Sequence, residues 1–236
     1  MKRKATKRKE QARQTRAAII AQAQRLFRER GFDAVTIEDI TEAAGVARGS
    51  FYTYFKNKSD IIVAEFLEID DYYRHYASYL SRYHTASEKL LAFTRAQMRY
   101  VRDTTGNENL KVLYANQTIE PGSLKIINNR DRFWYHLIRD TIAEGQSSGE
   151  IRTDITADRL ADWFNRSMRG LFLDWCISSG EEFDLIEEGL HYCRQWVLPA
   201  LRSDSRSSGS DSKSSAERQA AEARRESDAG ESGTVF

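Results

Sequence analysis

A chain of 236 residues has room for one medium domain or two small ones. Its 40% hydrophobic and 30% charged residues suit a folded core under a wetted surface, and no apolar run approaches the roughly 20 residues that a membrane-crossing helix needs, which argues against a membrane partner. The formal net charge of +1 hides an asymmetry: the first 60 residues hold about 14 Lys and Arg against about 7 Asp and Glu, and the remainder is acidic. A nucleic-acid contact is therefore expected at one end only.

The basic start, Met1 to Lys4, is followed by no apolar stretch, which argues against a secretory signal. Cys176 and Cys193 lack a CxxC spacing, so neither a disulfide framework nor a zinc site is expected, and the pair fits a reducing cytoplasm. Two buried thiols in apolar stripes read as inert rather than as redox sensors. His75, His84, His136 and His191 are scattered with no metal-ligand spacing, and no cofactor is expected. Proline occurs only at Pro121 and Pro199, helical periodicity recurs throughout, and no run alternates at period two. The fold class is all-α.

In chain order, residues 1–14 are polar and basic with no apolar face, and read as a disordered arm. Residues 15–60 carry a compact helical head. Ile19, Ile20, Ala23, Leu26 and Phe27 make one stripe of a first helix ending at Gly31. Thr36, with Asp39 three residues on, reads as the cap of a short second helix that turns Ile37, Ile40 and Ala44 inward and stops at Gly45. A third helix is expected from about Ala47 to Tyr54, with Ser59-Asp60 capping a fourth.

Residues 61–202 form the helical body. One long helix is expected over 59–83, with Ile62, Phe66, Ile69, Tyr73, Tyr76 and Leu80 at helical spacing, and a second over 86–101. A loop at 104–107, a helix over 108–116, a break at Glu120-Pro121-Gly122 and a helix over 123–146 follow. After a break at 147–150, Thr156 caps a helix reaching about Ser178, and a last helix runs from about Phe183 to Leu201. Residues 203–236 are rich in Ser, Gly, Ala, Glu and Arg; so few large apolar side chains cannot offset ordering entropy, and the tail reads as disordered.

The informative stretch is Thr36 to Ser59, TIEDITEAAGVARGSFYTYFKNKS. Gly45 permits a tight turn between two short helices, Ile40, Val46 and Phe51 fix their angle, and the second presents a polar leading edge. Phe51 and Phe55 read as core. Ala44-Gly45-Val46, then Gly49 to Lys58, with Gly31-Phe32 and Thr36-Ile37 ahead of them, resembles the signature of the TetR family of regulators over about residues 15–62.

That resemblance implies double-stranded DNA as partner, with an N-terminal three-helix helix-turn-helix domain and a C-terminal ligand-binding and dimerisation domain. It implies that Thr36 caps the second helix and touches phosphate, and that Arg48, Gly49 and Ser50 open the recognition helix. Arg48 would contact a base, Tyr52 and Tyr54 phosphate or thymine methyl groups, Thr53 phosphate or a base edge, and Lys58 the DNA backbone. Packing is the competing reading for the two tyrosines, and a solvated charge for Lys56. The basic arm reads either as a groove or phosphate contact or as a solubilising tail.

For the body, the resemblance implies a small-molecule pocket and a two-fold homodimer. Tyr100, Tyr114, Trp134, Phe164 and Phe172 are candidate pocket residues for a small hydrophobic or aromatic effector, with core filling as the alternative. Gly170, Leu190, Cys193, Trp196 and Val197, on the last two helices, are candidate dimer contacts. The expected function is a cytoplasmic dimeric repressor released from a near-palindromic operator by an effector. The alternative is an architectural or adaptor DNA-binding protein whose body takes a protein partner. No Ser/His/Asp order, phosphate-cradling glycine loop or metal motif suggests an enzyme.

Overall fold

The computed structural model describes residues 2–119 and 125–203; the tail beyond and the Glu120-Pro121-Gly122 break lie outside the described residues. Three helices make the head: α1 (Lys2–Arg30), α2 (Ile37–Ala43) and α3 (Arg48–Tyr54). The stretch expected as a disordered arm is helical from Lys2 onward, continuous with α1. Between Lys2 and Arg30 there is neither Gly nor Pro, and Ala, Gln, Lys, Arg and Glu dominate, so intrinsic propensity carries the helix where no apolar face does. Arg13 and Gln14 both donate to Glu10 along its exposed surface, at 3.3 and 3.2 Å.

Thr36 caps α2 as expected. Its Oγ1 accepts from Asp39 N at 3.1 Å, and Asp39 Oδ2 accepts from Thr36 N at 2.8 Å, closing a reciprocal box. Gly45 turns the chain between α2 and α3 at φ +65°, a conformation costly for any residue with a Cβ. Ile19, Ala23, Ile40 and Phe51 are fully buried and lock the three helices together, with Phe55 almost so. The next helix is not capped by Ser59-Asp60. Asn57 Oδ1 accepts from Asp60 N at 3.0 Å, while Asp60 Oδ2 reaches back to Lys56 N at 2.8 Å.

The single helix expected over 59–83 is two, α4 (Ser59–Leu67) and α5 (Ile69–Leu80), bent at Glu68. The bend leaves carbonyls of α4 without helical partners, and the buried Arg132 donates to one of them, Phe66 O, at 3.0 Å. Arg132 Nε also pairs with Asp70 at 3.0 Å, so α4, α5 and the approach to the helix that starts at Phe133 are tied at one point.

Next come α6 (Ala86–Tyr100), α7 (Asn107–Ile119), α8 (Phe133–Ser147), α9 (Ala157–Ile177), α10 (Leu185–Tyr192) and α11 (Leu198–Leu201). The expected loop at 104–107 is a wider helical turn, Val101–Thr105, ended by Gly106, and a second such turn, Cys193–Val197, joins α10 to α11. The helix expected from 123 begins only at Phe133. Residues 125–132 are held off the helical path: Ile126 N donates to Gln117 Oε1 at 2.9 Å, and Asn129 Oδ1 accepts from Asp131 N at 2.8 Å in a tight local turn. Thr156 caps α9 through Arg159 N, and Asp184 caps α10 through Ile186 N and Glu187 N. The helices of the body pack α8 on α9, α6 on α10 and α4 on α7. α10 comes close to α6 because Gly189 has no side chain; a Cβ there would stand 2.7 Å from Met98 Cγ. The apolar core runs unbroken from head to body.

Candidate functional site

α3 presents a polar outer edge because Phe51, at its centre, is pinned inside the head. On that edge Arg48, Gly49, Tyr52 and Thr53 are exposed, Tyr52 by 49%, and Thr36 at the start of α2 is exposed beside them. Ser50 and Tyr54 are half-buried, Tyr54 packing against the core. The cap position before α3 is Ala47, which has no side-chain oxygen to satisfy the first N–H groups of the helix. Ser50 N is met by Ala47 O at 2.8 Å, so the turn is closed by backbone and not by a capping side chain.

Arg48 Nη1 pairs with Glu38 Oε1 at 2.6 Å, a contact from α3 back to α2 that the sequence reading missed. A hydrogen bond with Tyr52, then the charge of Glu38, hold the Arg48 guanidinium above the ordinary arginine range. Thr53 Oγ1 donates to Gly49 O at a long 3.4 Å and is readily re-aimed. Lys58 departs from its expected outward role. Its Nζ donates to Phe32 O at 2.5 Å and Val35 O at 2.7 Å, and it lies 4.1 Å from the centre of the Phe32 ring. It clamps the α1–α2 connection, and burial pulls its proton affinity down.

The body holds a small apolar cavity of about 30 Å³ between α4–α5, α6, α7, α8 and α9. Of the five expected lining residues, Tyr114, Trp134 and Phe172 face it. Tyr100 and Phe164 do not: Tyr100 packs its ring 4.9 Å from that of Tyr72, and Phe164 is locked in the core. Gln97 and Arg169 also line it and were missed because polar groups inside an amphipathic helix give no periodic signal; Tyr73 lines it too, and its periodicity marked it only as core. The Tyr73 hydroxyl and Gln97 Oε1 are buried without a hydrogen-bond partner among the described residues.

Three of the expected dimer residues point the wrong way for contact between copies. Leu190, Cys193 and Val197 are buried, and Cys193 Sγ lies 3.5 Å from Thr94 Oγ1 of α6. The face they share closes the body's own core. Gly170 and Trp196 are exposed. With Gly170, Trp163, Leu173 and Ile177 form an exposed stripe at helical spacing along α9, Ile177 being 73% exposed; Trp196, in the turn after α10, is 71% exposed. Both cysteine thiols are buried, and burial pushes Cys176 up to about 11. Among the described residues no group of three or more His, Cys, Asp or Glu is placed to hold a metal, and no helix is long and apolar enough to cross a membrane.

Residues 19–64 match the model of the tetR family of bacterial regulatory proteins. The chain is 28% identical over 174 residues to the HTH-type transcriptional repressor DhaR of a Mycobacterium species, across 71% of this chain and 85% of that one. It is 42% identical over 69 residues to the HTH-type transcriptional regulator TtgR of Pseudomonas putida, a stretch covering 29% of this chain and 33% of TtgR. In fold it is similar to FadR of Thermus thermophilus, a TetR-family repressor solved with lauroyl-CoA, with a TM-score of 0.66 at 22% identity over 82% of this chain and 99% of FadR. Head sequence, the similarity to DhaR across 71% of this chain and the shared all-helical fold agree: residues 19–64 form a DNA-binding head of the tetR family, and the chain as a whole is similar to transcriptional repressors that carry such a head.

Proposed function

We propose that the chain is a two-fold dimeric repressor that leaves a near-palindromic operator when a small apolar or aromatic effector enters the body. The observation that carries the DNA reading is the outer edge of α3, where Arg48, Gly49, Tyr52 and Thr53 stand exposed on a helix fixed from behind by Phe51. The exposed stripe of α9, with Trp196, supports pairing of two copies, which would set two such edges about one DNA turn apart.

The body cavity supports the effector reading by its chemistry: apolar walls with the unpartnered Tyr73 hydroxyl and Gln97 amide oxygen among them. Ligand pockets typically measure roughly 300–1,000 Å³, so an effector must widen this one. Leu110, Leu113 and Tyr114 of α7 form part of its wall, and Asn116, further along α7, donates to Ser59 Oγ at 2.9 Å. Ser59 is the first residue of α4, beside the Lys58 clamp on the head. Widening would push α7, shift the start of α4 and tilt α3 away from its half-site. Ligand and DNA then weaken each other by the same factor.

Selection from random duplexes tests the DNA reading. A near-palindrome with half-sites about 10 base pairs apart should be enriched, and no enrichment over bulk DNA at moderate salt overturns it. Tryptophan quenching by a panel of hydrophobic compounds, followed by operator release, tests the effector. The small cavity favours the second reading, an adaptor with a closed body, and a panel in which nothing quenches or releases would select it.

A further inference from the structure

Beside the apolar cavity lies a second, polar space of about 260 Å³. One wall is Arg130, from the loop ahead of α8; the other is the α9 face carrying Asp162, Asn165, Arg166 and Arg169. These α9 residues recur at three- and four-residue steps and so share one side of the helix. Ile127 and Arg169 line both spaces, which makes them neighbours across a shared wall.

The charges of the cleft do not balance. Three arginines face one carboxylate, and that carboxylate is already engaged: Asp162 Oδ1 accepts from the Tyr135 hydroxyl at 2.6 Å and Oδ2 from Arg130. Arg166 Nη2 stands 4.0 Å from the same Oδ2, beyond hydrogen-bonding reach. Arg169 has no carboxylate at ion-pairing distance among the described residues. Burial first, and with it the like charge of Arg166, weaken its hold on its proton. Between them sits Asn165, 2% exposed, with neither its amide nitrogen nor its amide oxygen hydrogen-bonded among the described residues. A buried amide with both ends idle, next to two under-compensated guanidinium groups, is an arrangement awaiting an anion whose oxygens accept from Nδ2 and whose hydroxyl, such as that of a singly protonated phosphate, donates to Oδ1.

We propose that this cleft binds the phosphate of a phosphorylated amphiphile, with Arg166, Arg169 and Asn165 as its donors, while the apolar part of the same molecule enters the adjoining cavity. The proposal rests on the effector reading above and adds the chemical class of the effector. A phosphate is favoured over a carboxylate because two guanidinium forks are free to meet it, and a single carboxylate charge satisfies only one. The phosphate can belong to a simple alkyl ester or to a nucleotide carrier of an acyl group; the chemistry met by the cleft is shared.

Calorimetric titration of the full chain with decanol, decyl phosphate and decanoyl-coenzyme A, below their micellar concentrations, tests this. At least one phosphate should bind tenfold or more tightly than decanol, with an affinity that falls as salt rises. Arg166→Gln, at an exposed position that the fold does not need, should remove most of that advantage and leave decanol binding unchanged; Arg169→Lys should retain part of it. Equal binding of all three probes, or an advantage that survives both Arg166→Gln and Arg169→Gln, overturns the anion cleft and leaves the effector reading standing. Failure of all three to bind to a sample that still binds operator overturns the amphiphile proposal, whereas the effector reading falls only if no member of the wider panel releases DNA.

Discussion

Arg48 and Lys58 show how far a side chain's type can mislead about its role. Both are basic and stand at either end of the recognition helix, yet Arg48 lies on the exposed edge, held by the exposed Tyr52 and Glu38, while Lys58 spends two of its donors on carbonyls inside the head. An arginine paired with a guanine discriminates by about 1–3 kcal/mol, so Arg48→Ala should weaken operator binding roughly tenfold and level the preference at one base pair. Titration against single-base operator variants reads this directly; an unchanged ranking removes Arg48 from base reading. Lys58→Met should instead cost about 1.5–3 kcal/mol of stability, the range for hydrogen bonds to a charged group, with no change in how operator affinity depends on salt. Chemical denaturation and salt titration separate the two roles, since losing a phosphate contact would flatten the salt slope.

Glu65 is the third residue worth a test at this scale. It is a buried carboxyl on α4 with Gln24 and Arg28 of α1 on one side and Glu68 and Tyr100 on the other. Burial raises its pKa from 4.5 to about 7. The folded chain therefore keeps a proton that the unfolded chain has lost, and stability should fall as pH rises from about 4.5 to about 7, then level off. At its steepest the slope approaches about 1.4 kcal/mol per pH unit. Glu65→Gln should lack this component, so its stability relative to the parent should be greater at about pH 8 than at about pH 5. A constant difference across that range rejects the burial of an uncompensated carboxyl.

At the scale of the element, the sequence was readable wherever a helix boundary is written locally. The Thr36–Asp39 box and the Thr156 cap are patterns spanning four residues, and both occur where expected. Boundaries set from a distance were not readable. The bend at Glu68 is stabilised by Arg132, which donates to Phe66 O from 66 positions away, and the late start of α8 depends on Gln117 holding Ile126. The helical arm was missed for the opposite reason: it has no apolar stripe, and periodicity cannot report a helix built on propensity alone. The start of α6 combines both kinds of signal. Thr85 and Glu88 close a local box, while Glu150, 64 positions from Ala86 in sequence, accepts from Ala86 N at 2.7 Å and Ser87 N at 2.8 Å. Burial alone would raise the Glu150 pKa, but these bonds prevail and lower it. Glu150→Ala should cost about 1–3 kcal/mol, more than an ordinary exposed glutamate, because two part-buried N–H groups lose their acceptor. A urea midpoint indistinguishable from the parent would show that water replaces the carboxylate.

At the scale of the whole molecule, the last helices have two apolar faces with different work. The inward face, with Leu190, Cys193 and Val197, closes the core; the outward face, with Trp163, Gly170, Leu173, Ile177 and Trp196, is left exposed in the single chain. Gly170 lies on the outward side, where a Cβ would touch nothing within 4 Å. Period alone could not tell the two faces apart, because both are apolar and only the packing of α10 on α6 decides which is covered. Leu190→Ala should therefore cost about 2–5 kcal/mol of folding stability as a buried cavity mutation. Ile177→Glu should do the reverse, keeping helical content and thermal midpoint close to those of an isolated subunit while converting the protein to a monomer in sedimentation. Operator affinity should then collapse, because each head reads one half-site and the gain from linking two is lost. A dimer that survives Ile177→Glu together with Leu173→Glu would move the interface away from α9, and with it the spacing assigned to the two α3 edges.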